Sequence, residues 1–303
     1  MAEDARQLSP PERGWFPQAY AVDPNRHLLR LSASVNVEDK LRAWQDDGTS
    51  RPEGLRALIA AETQMRIEVF AGSERIDTVD FPCETLFPEF DRLPDGRWVV
   101  ADARSRGKAN ACILAPDGTL LSRINLGDGI ADLQCDRLGG IWVSYFDEGI
   151  GGGPDSDPDV EPPGAYGITR FRPDGTISWS PGPGFYPPIY DCYAMTVAED
   201  GVWLCYYSDF PIVHVPFDGV LRQWRNDAVR GASLLAADGN LAVLLGGYEE
   251  ERGSGALLRL GEDGRSEVLQ RFALDPALQA AMGEGLACAR GSEIHFVANG
   301  ART

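Results

Sequence analysis

Apolar residues in this chain fall into short runs of about five, most of them entered through a tight polar turn. The stretch "DRLPDGRWVVADA" (91–103) shows the form: a semi-apolar run, an Asp-Gly turn, then a nearly continuous apolar run. It returns as "DRLGGIWVSYFDEG" (136–149), "AMTVAEDGVWLCYY" (194–207), "ASLLAADGNLAVLLGG" (232–247) and "GLACARGSEIHFVANG" (285–300), with a looser copy in "AYAVDPNRHLLRLSA" (19–33). A brief apolar run bounded by turn signals predicts a strand buried on both faces. The position two places beyond the turn holds His27, Trp98, Trp142, Trp203, Leu241 and Ile294, and reads as a wall position that wants bulk.

A second pattern lies between these copies. "MRIEVFAGSERIDTVDF" (65–81), "NACILAPDGTLLSRINL" (110–126), "YGITRFRPDGTISWS" (166–180), "IVHVPFDGVLRQW" (212–224) and "ALLRLGEDGRSEVLQRF" (256–272) each read strand, turn, strand. Asp-Gly sits in most of the turns, a strong hairpin signal, and apolar residues alternate with charged ones, so these hairpins are expected to be half-exposed. Four strands per unit, repeated with a period of about 40 residues, predict an all-β fold, a β-propeller of four-stranded antiparallel blades. Six blades are expected, the last either two-stranded or completed by the N-terminal segment; five, with the chain ends merged into one blade, is the alternative. The reading covers 1–303 as one domain. It is interrupted by a helical insertion at about 37–63, with Ser50 as cap and Pro52 in the first turn of its second helix, and by an acidic Pro/Gly loop at about 148–164. "DPALQAAM" predicts a short helix ahead of the last copy.

Composition narrows the function classes. The chain carries 34 Gly, 21 Pro and a net charge of −18, and so lacks the basic surface that a phosphate backbone requires. The N-terminal stretch shows neither the basic nor the apolar region of a secretory signal, and no segment reaches the roughly 18 apolar residues of a membrane span. The six cysteines show no C-x-x-C spacing, so buried free thiols in a cytoplasmic protein are expected rather than a zinc site. The three histidines, His27, His214 and His295, fall in predicted strands and read as buried, hydrogen-bonded residues.

Strand alternation in a blade places the tight Asp-Gly turns on one face and the longer, varied loops on the other, where function is expected. The residues ahead of the innermost strands there are Glu84, Asp128, Asp191, Arg230 and Glu284. Carboxylates gathered at a channel mouth repel one another, and a cation, a proton or Arg230 must balance them. Their hard oxygens suit Ca²⁺ or Mg²⁺, which makes Glu84, Asp128, Asp191 and Glu284 candidate metal ligands. The bland alternative is that they cap turns and meet only water. Asp147, Glu148 and Asp209 follow aromatic residues on the same face and, with Arg230, are candidate ligand-binding residues.

The blade pattern resembles the six-bladed propellers of the NHL-repeat and gluconolactonase (senescence-marker protein) kind over most of residues 15–303. That resemblance implies a divalent metal in the channel held by Glu, Asn and Asp. Glu284 in "EGLA" and Asp128 in "DGIA" stand at matching places, with Leu286 where the family has Pro and no Asn ligand in evidence. The leading functional expectation is a propeller binding a small molecule, a cation or a protein segment at the channel mouth. The alternative is a metal-dependent hydrolase or lactonase.

Overall fold

Hairpin pairing between sequence neighbours generates six antiparallel sheets in the computed structural model, which describes residues 8–37, 39, 40, 42, 62–82, 85–104, 109–151, 160–248, 251–283 and 287–297. Blade 1 comprises β1 (Phe16–Val22), β2 (Leu28–Ala33), β3 (Gln64–Ala71) and β4 (Glu74–Pro82). Blade 2 comprises β5 (Pro88–Arg92), β6 (Trp98–Asp102), β7 (Ala111–Leu114) and β8 (Leu120–Ile124). β9 (Ile130–Cys135), β10 (Ile141–Tyr145), β11 (Ile168–Phe171) and β12 (Ile177–Trp179) form blade 3. β13 (Asp191–Val197), β14 (Gly201–Tyr207), β15 (Ile212–Pro216) and β16 (Arg222–Trp224) form blade 4. Blade 5 holds β17 (Leu234–Asp238), β18 (Leu241–Leu245), β19 (Ser254–Leu260) and β20 (Ser266–Ala273). Blade 6 has β21 (Ala287–Arg290) and β22 (Glu293–Phe296), and is two-stranded among the described residues.

Burial follows the sequence pattern. β6 and β10 are buried along their whole length, whereas β4, β8 and β20 are mostly exposed. The innermost strands β1, β5, β9, β13, β17 and β21 contact one another in that order and β21 returns to β1, which closes the ring. β1 pairs with β2 in its own blade, so among the described residues no N-terminal strand joins blade 6. Instead Leu8, Val22, Leu28 and Phe70 pack against Phe296 and Val297, and Arg26 forms an ion pair with Glu293 across the seam. The predicted short helix is present as α2, Pro276–Gly283, after a single turn α1, Asp147–Ile150, and Ala281 joins the same cluster. Of the insertion at 37–63, residues 37, 39, 40, 42 and 62 have helical backbone; Ser50, Pro52 and residues 152–159 of the acidic loop lie outside the described residues.

Ladder register separates two tryptophans that the sequence pattern puts in one position. Trp98 pairs with Arg92, the last residue of β5, and packs against Leu31, Ile67 and Val79 of the preceding blade. Trp142 pairs with Gln134, one residue inside the end of β9, and packs toward Met195 and Val202 of the following blade. Trp203 packs forward in the same way, against Leu235 and Leu244. A slip of one residue transfers a side chain to the opposite face of its sheet, so equal spacing from a turn does not make these positions equivalent. Leu241, in the same nominal position, is 39% exposed.

Candidate functional site

The innermost strands enclose a cavity of about 520 Å³ around the ring axis, lined from blade 1 by Gln18 and Tyr20 and from blade 6 by Cys288. Glu89 of β5 and Asp132 of β9 face it as half-buried carboxylates. They occupy matching ladder positions, Glu89 opposite Ala101 and Asp132 opposite Ser144, each three residues before the end of its strand. Adjacent blades thus bring two acids to one level of the channel. Burial, and then the charge of Asp132, pushes the Glu89 carboxyl well above the usual range. Burial pushes Asp132 up to about 6, against a hydrogen bond from Gln134 and the more distant Arg290.

A polar floor closes the channel below the acids. Gln134 Nε2 lies 3.0 Å from Asp132 Oδ2 and 3.3 Å from both the Met195 and Ala289 carbonyls, while its Oε1 accepts the Val197 N–H at 2.9 Å. Arg290 Nη1 meets Asp91 Oδ2 at 3.0 Å, and the same oxygen accepts the Cys135 N–H at 2.6 Å; both side chains are buried. Blades 2, 3, 4 and 6 are therefore joined across the axis. A second cavity of about 430 Å³, lined by Arg290, Arg26 and Arg137, opens from the tight-turn face.

The sequence-predicted residues do not gather in one place. Asp191 and Asp147 approach each other at the mouth, where burial and then the charge of Asp147 raise the Asp191 carboxyl. Tyr193 hydrogen-bonds Tyr248 beside them, and the two rings meet edge to face at 5.5 Å. Asp128 Oδ1 accepts the N–H of its neighbour Gly129 at 2.9 Å, a local turn bond. Glu148 meets Arg104 at 3.4 Å. Arg230 and Asp209 line a separate surface groove with Tyr186 and Tyr207. Glu84 and Glu284 lie outside the described residues.

Close backbone packing sets the Asp147 turn against the channel mouth. The Phe146 N–H donates to the Gly129 carbonyl at 3.0 Å, and a Cβ on Gly149 would stand 2.3 Å from the Asp128 carbonyl oxygen. Only glycine permits that approach, which gives the end of "DRLGGIWVSYFDEG" a structural role. Among the described residues no group of three or more His, Cys, Asp or Glu is arranged to hold a metal ion. With the Asp128 carboxylate engaged in its own turn, the described residues do not by themselves form the divalent-cation site that the resemblance implies. The histidines stand apart from the axis: His214 stacks on Trp203 at 4.2 Å, His295 lies 3.2 Å from Glu293, and His27 lies 3.1 Å from Asp23.

Sequence reasoning placed the acids ahead of the innermost strands and passed over Glu89 and Asp132 within them. Their signal was available: each is a carboxylate inside an innermost run, in "FPEFD" and "IADLQ". An acid in a buried strand requires a partner or a cavity.

A family model described as the YxzG family matches residues 183–243, centred on blade 4 and less than half of the chain. No curated protein matches the sequence. Among solved structures, virginiamycin B lyase from Staphylococcus aureus is 12% identical, with 96% of this chain and 94% of that chain covered and a TM-score of 0.50. A catalytically inactive form of the same enzyme with quinupristin is also 12% identical at a TM-score of 0.50, covering 96% of this chain and 80% of that chain. A gluconolactonase from Xanthomonas campestris is 16% identical, covering 90% of this chain and 78% of that chain at a TM-score of 0.43. At these identities the likeness is one of fold. The chain is a six-bladed β-propeller, the fold it shares with the virginiamycin B lyase structures. No described helix is long and apolar enough to cross a membrane.

Proposed function

We propose that the propeller binds a small organic cation, an amine or guanidine, in the channel above the Gln134–Arg290 floor. One observation carries the reading: Glu89 and Asp132 face the same cavity from adjacent blades with no ion pair to either side chain among the described residues. Each raises the cost of ionising the other, and a cation lodged between them would relieve both the repulsion and the desolvation. Asp191 and Asp147 extend the negative potential to the mouth, where the like-signed field attracts cations from solution.

The placing of two raised carboxyls in one cavity supports a second reading. Burial and the charge of Asp132 raise the Glu89 carboxyl well above its ordinary value, and burial raises Asp132 to about 6; two neighbouring carboxyls of unequal environment are a pairing suited to general acid–base chemistry.

Calorimetric titration with agmatine, putrescine and CaCl₂ tests the first reading. Agmatine or putrescine is expected to bind, and a ligand at about a hundredfold excess over Kd should stabilise the fold by about 2.7 kcal/mol. Glu89→Gln and Asp132→Asn should each remove most of the affinity. Binding of Ca²⁺ alone would move the reading to a metal site, and amine binding that survives both substitutions would refute the channel as its location.

A further inference from the structure

A third cavity of about 690 Å³ lies on the surface between blades 4 and 5, away from the channel acids. Two tyrosines flank it: Tyr186 is 82% exposed and Tyr207 is 49% exposed. Rigid rings held this far into solvent bury little of the protein's own surface, and they offer flat apolar plates to a ligand. Asp209, Gln223 and Arg230 also line the groove, and among the described residues their side chains have no hydrogen-bond or ion-pair partner. Arg225 and Asp227 complete it as an ion pair of 2.8 Å.

The groove is built before any ligand arrives. Asp209 and Phe210 are consecutive non-glycine residues with φ of +59° and +51°, a conformation that non-glycine residues keep only where their surroundings hold it. Here they do. Phe210 is buried, its ring packs edge-on against Tyr193 and Tyr248, and its carbonyl accepts a 3.0 Å bond from Asn226 Nδ2. Asn226 is itself buried, donating also to the Val229 carbonyl at 2.8 Å and accepting the Ala228 N–H at 2.9 Å. The strained turn sinks Phe210 and leaves Tyr207 and Asp209 at the rim, so their positions need no reordering on binding.

Charge and chemistry select the class of ligand. Two arginines offset two aspartates, so the groove is close to neutral in a chain of net charge −18. It therefore favours neither a polyanion nor a simple cation. Asp209 accepts hydrogen bonds, Arg230 donates them, and Gln223 does both. A ligand that answers flat apolar plates together with mixed donors and acceptors has an apolar face and a rim of hydroxyls. A pyranose ring is built that way, with axial C–H groups on its face and hydroxyls at its edge. We infer that this groove is an oligosaccharide-binding site, with Tyr186 and Tyr207 as stacking platforms and Asp209, Gln223 and Arg230 as hydroxyl contacts. Apart from Gly264, all its lining residues lie within 183–243, the stretch matched by the YxzG family model.

Saturation-transfer NMR on the full chain with cellotriose, chitotriose and trigalacturonate tests this, since the three cover neutral, amino-sugar and acidic chains. At least one is expected to bind with a Kd of about 1 mM or tighter. Tyr186→Ala and Tyr207→Ala should each weaken it about tenfold, equal to about 1.4 kcal/mol, and Arg230→Ala by a smaller factor. Both tyrosines are exposed enough for these variants to fold, and an unchanged thermal melt checks it. Agmatine binding in the channel should be the same in Tyr186→Ala as in the parent chain, so the two sites succeed or fail separately. No saturation transfer from any of the three sugars at about 10 mM, well above the millimolar range, would overturn the inference. Sugar binding that persists in the Tyr186→Ala, Tyr207→Ala double variant would overturn it equally.

Discussion

Asp132→Asn should make this propeller more stable at alkaline pH, although it removes a charge from the heart of its candidate site. Burial raises the Asp132 carboxyl from the ordinary 3.8 to about 6. Between those values the folded chain holds a proton that the unfolded chain has released. Stability therefore falls as pH rises through that window, and above it the folded state carries the whole cost of an ionised, half-buried carboxylate. Two pH units correspond to about 3 kcal/mol, and the opening of the cavity to water reduces this to about 1–3 kcal/mol. Asparagine keeps an acceptor for the Gln134 amide and carries no charge, so the cost disappears while the floor is retained. Urea unfolding of both chains at several values between about pH 5 and 8 measures the effect, read as the difference in free energy. The advantage of the variant should build through the window between the two values, be half developed by about pH 5, and level off above about pH 6 at about 1–3 kcal/mol. Because Glu89 titrates with Asp132 as a pair, the transition will be broader than that of one group. Equal pH dependence in the two chains, or a variant less stable at pH 8, would refute the assignment of strain to this pair.

Two further substitutions test the scaffold. Arg290→Leu leaves Asp91 buried without its counterion and should cost about 3–5 kcal/mol in urea unfolding above about pH 8, where Asp91 is ionised. The loss should shrink toward pH 5, because burial already holds Asp91 up near about 7 and its protonated form needs no counterion. Asp136→Ala removes one fully buried carboxylate that binds the Leu138 and Gly140 N–H groups, Trp142 Nε1 at 2.8 Å and Arg170 Nε at 2.7 Å. It should cost about 3–5 kcal/mol and alter Trp142 fluorescence, and a loss below about 1 kcal/mol would show that water replaces these bonds.

Much of this architecture is carried by local signals. An Asp-Gly turn between two apolar runs makes its hairpin from neighbouring residues, and the repetition of that unit dictates blades around an axis. The sequence alone therefore determined the strand pattern, the exposed outer strands, a short helix ahead of the last copy and a propeller of six or five blades, and the contact of β21 with β1 decided that the ring closes at six. The sequence also marked Asp147 and Asp191 as acids of one face, which the structure brings together at the channel mouth. Other properties depend on register and on contacts between blades. Trp98 and Trp142 read alike along the chain, yet they face opposite neighbours because their ladders differ by one residue. Glu89 and Asp132 lie more than 40 positions apart, and only blade stacking sets them at one level of one cavity. Arg230 and Asp209, which the sequence reading placed with the channel acids, belong instead to a groove assembled from blades 4 and 5. The physical reason is the two-residue period of a strand: composition and turns decide that a strand forms, but a single-residue shift in pairing decides whether its side chain meets the core, the channel or solvent.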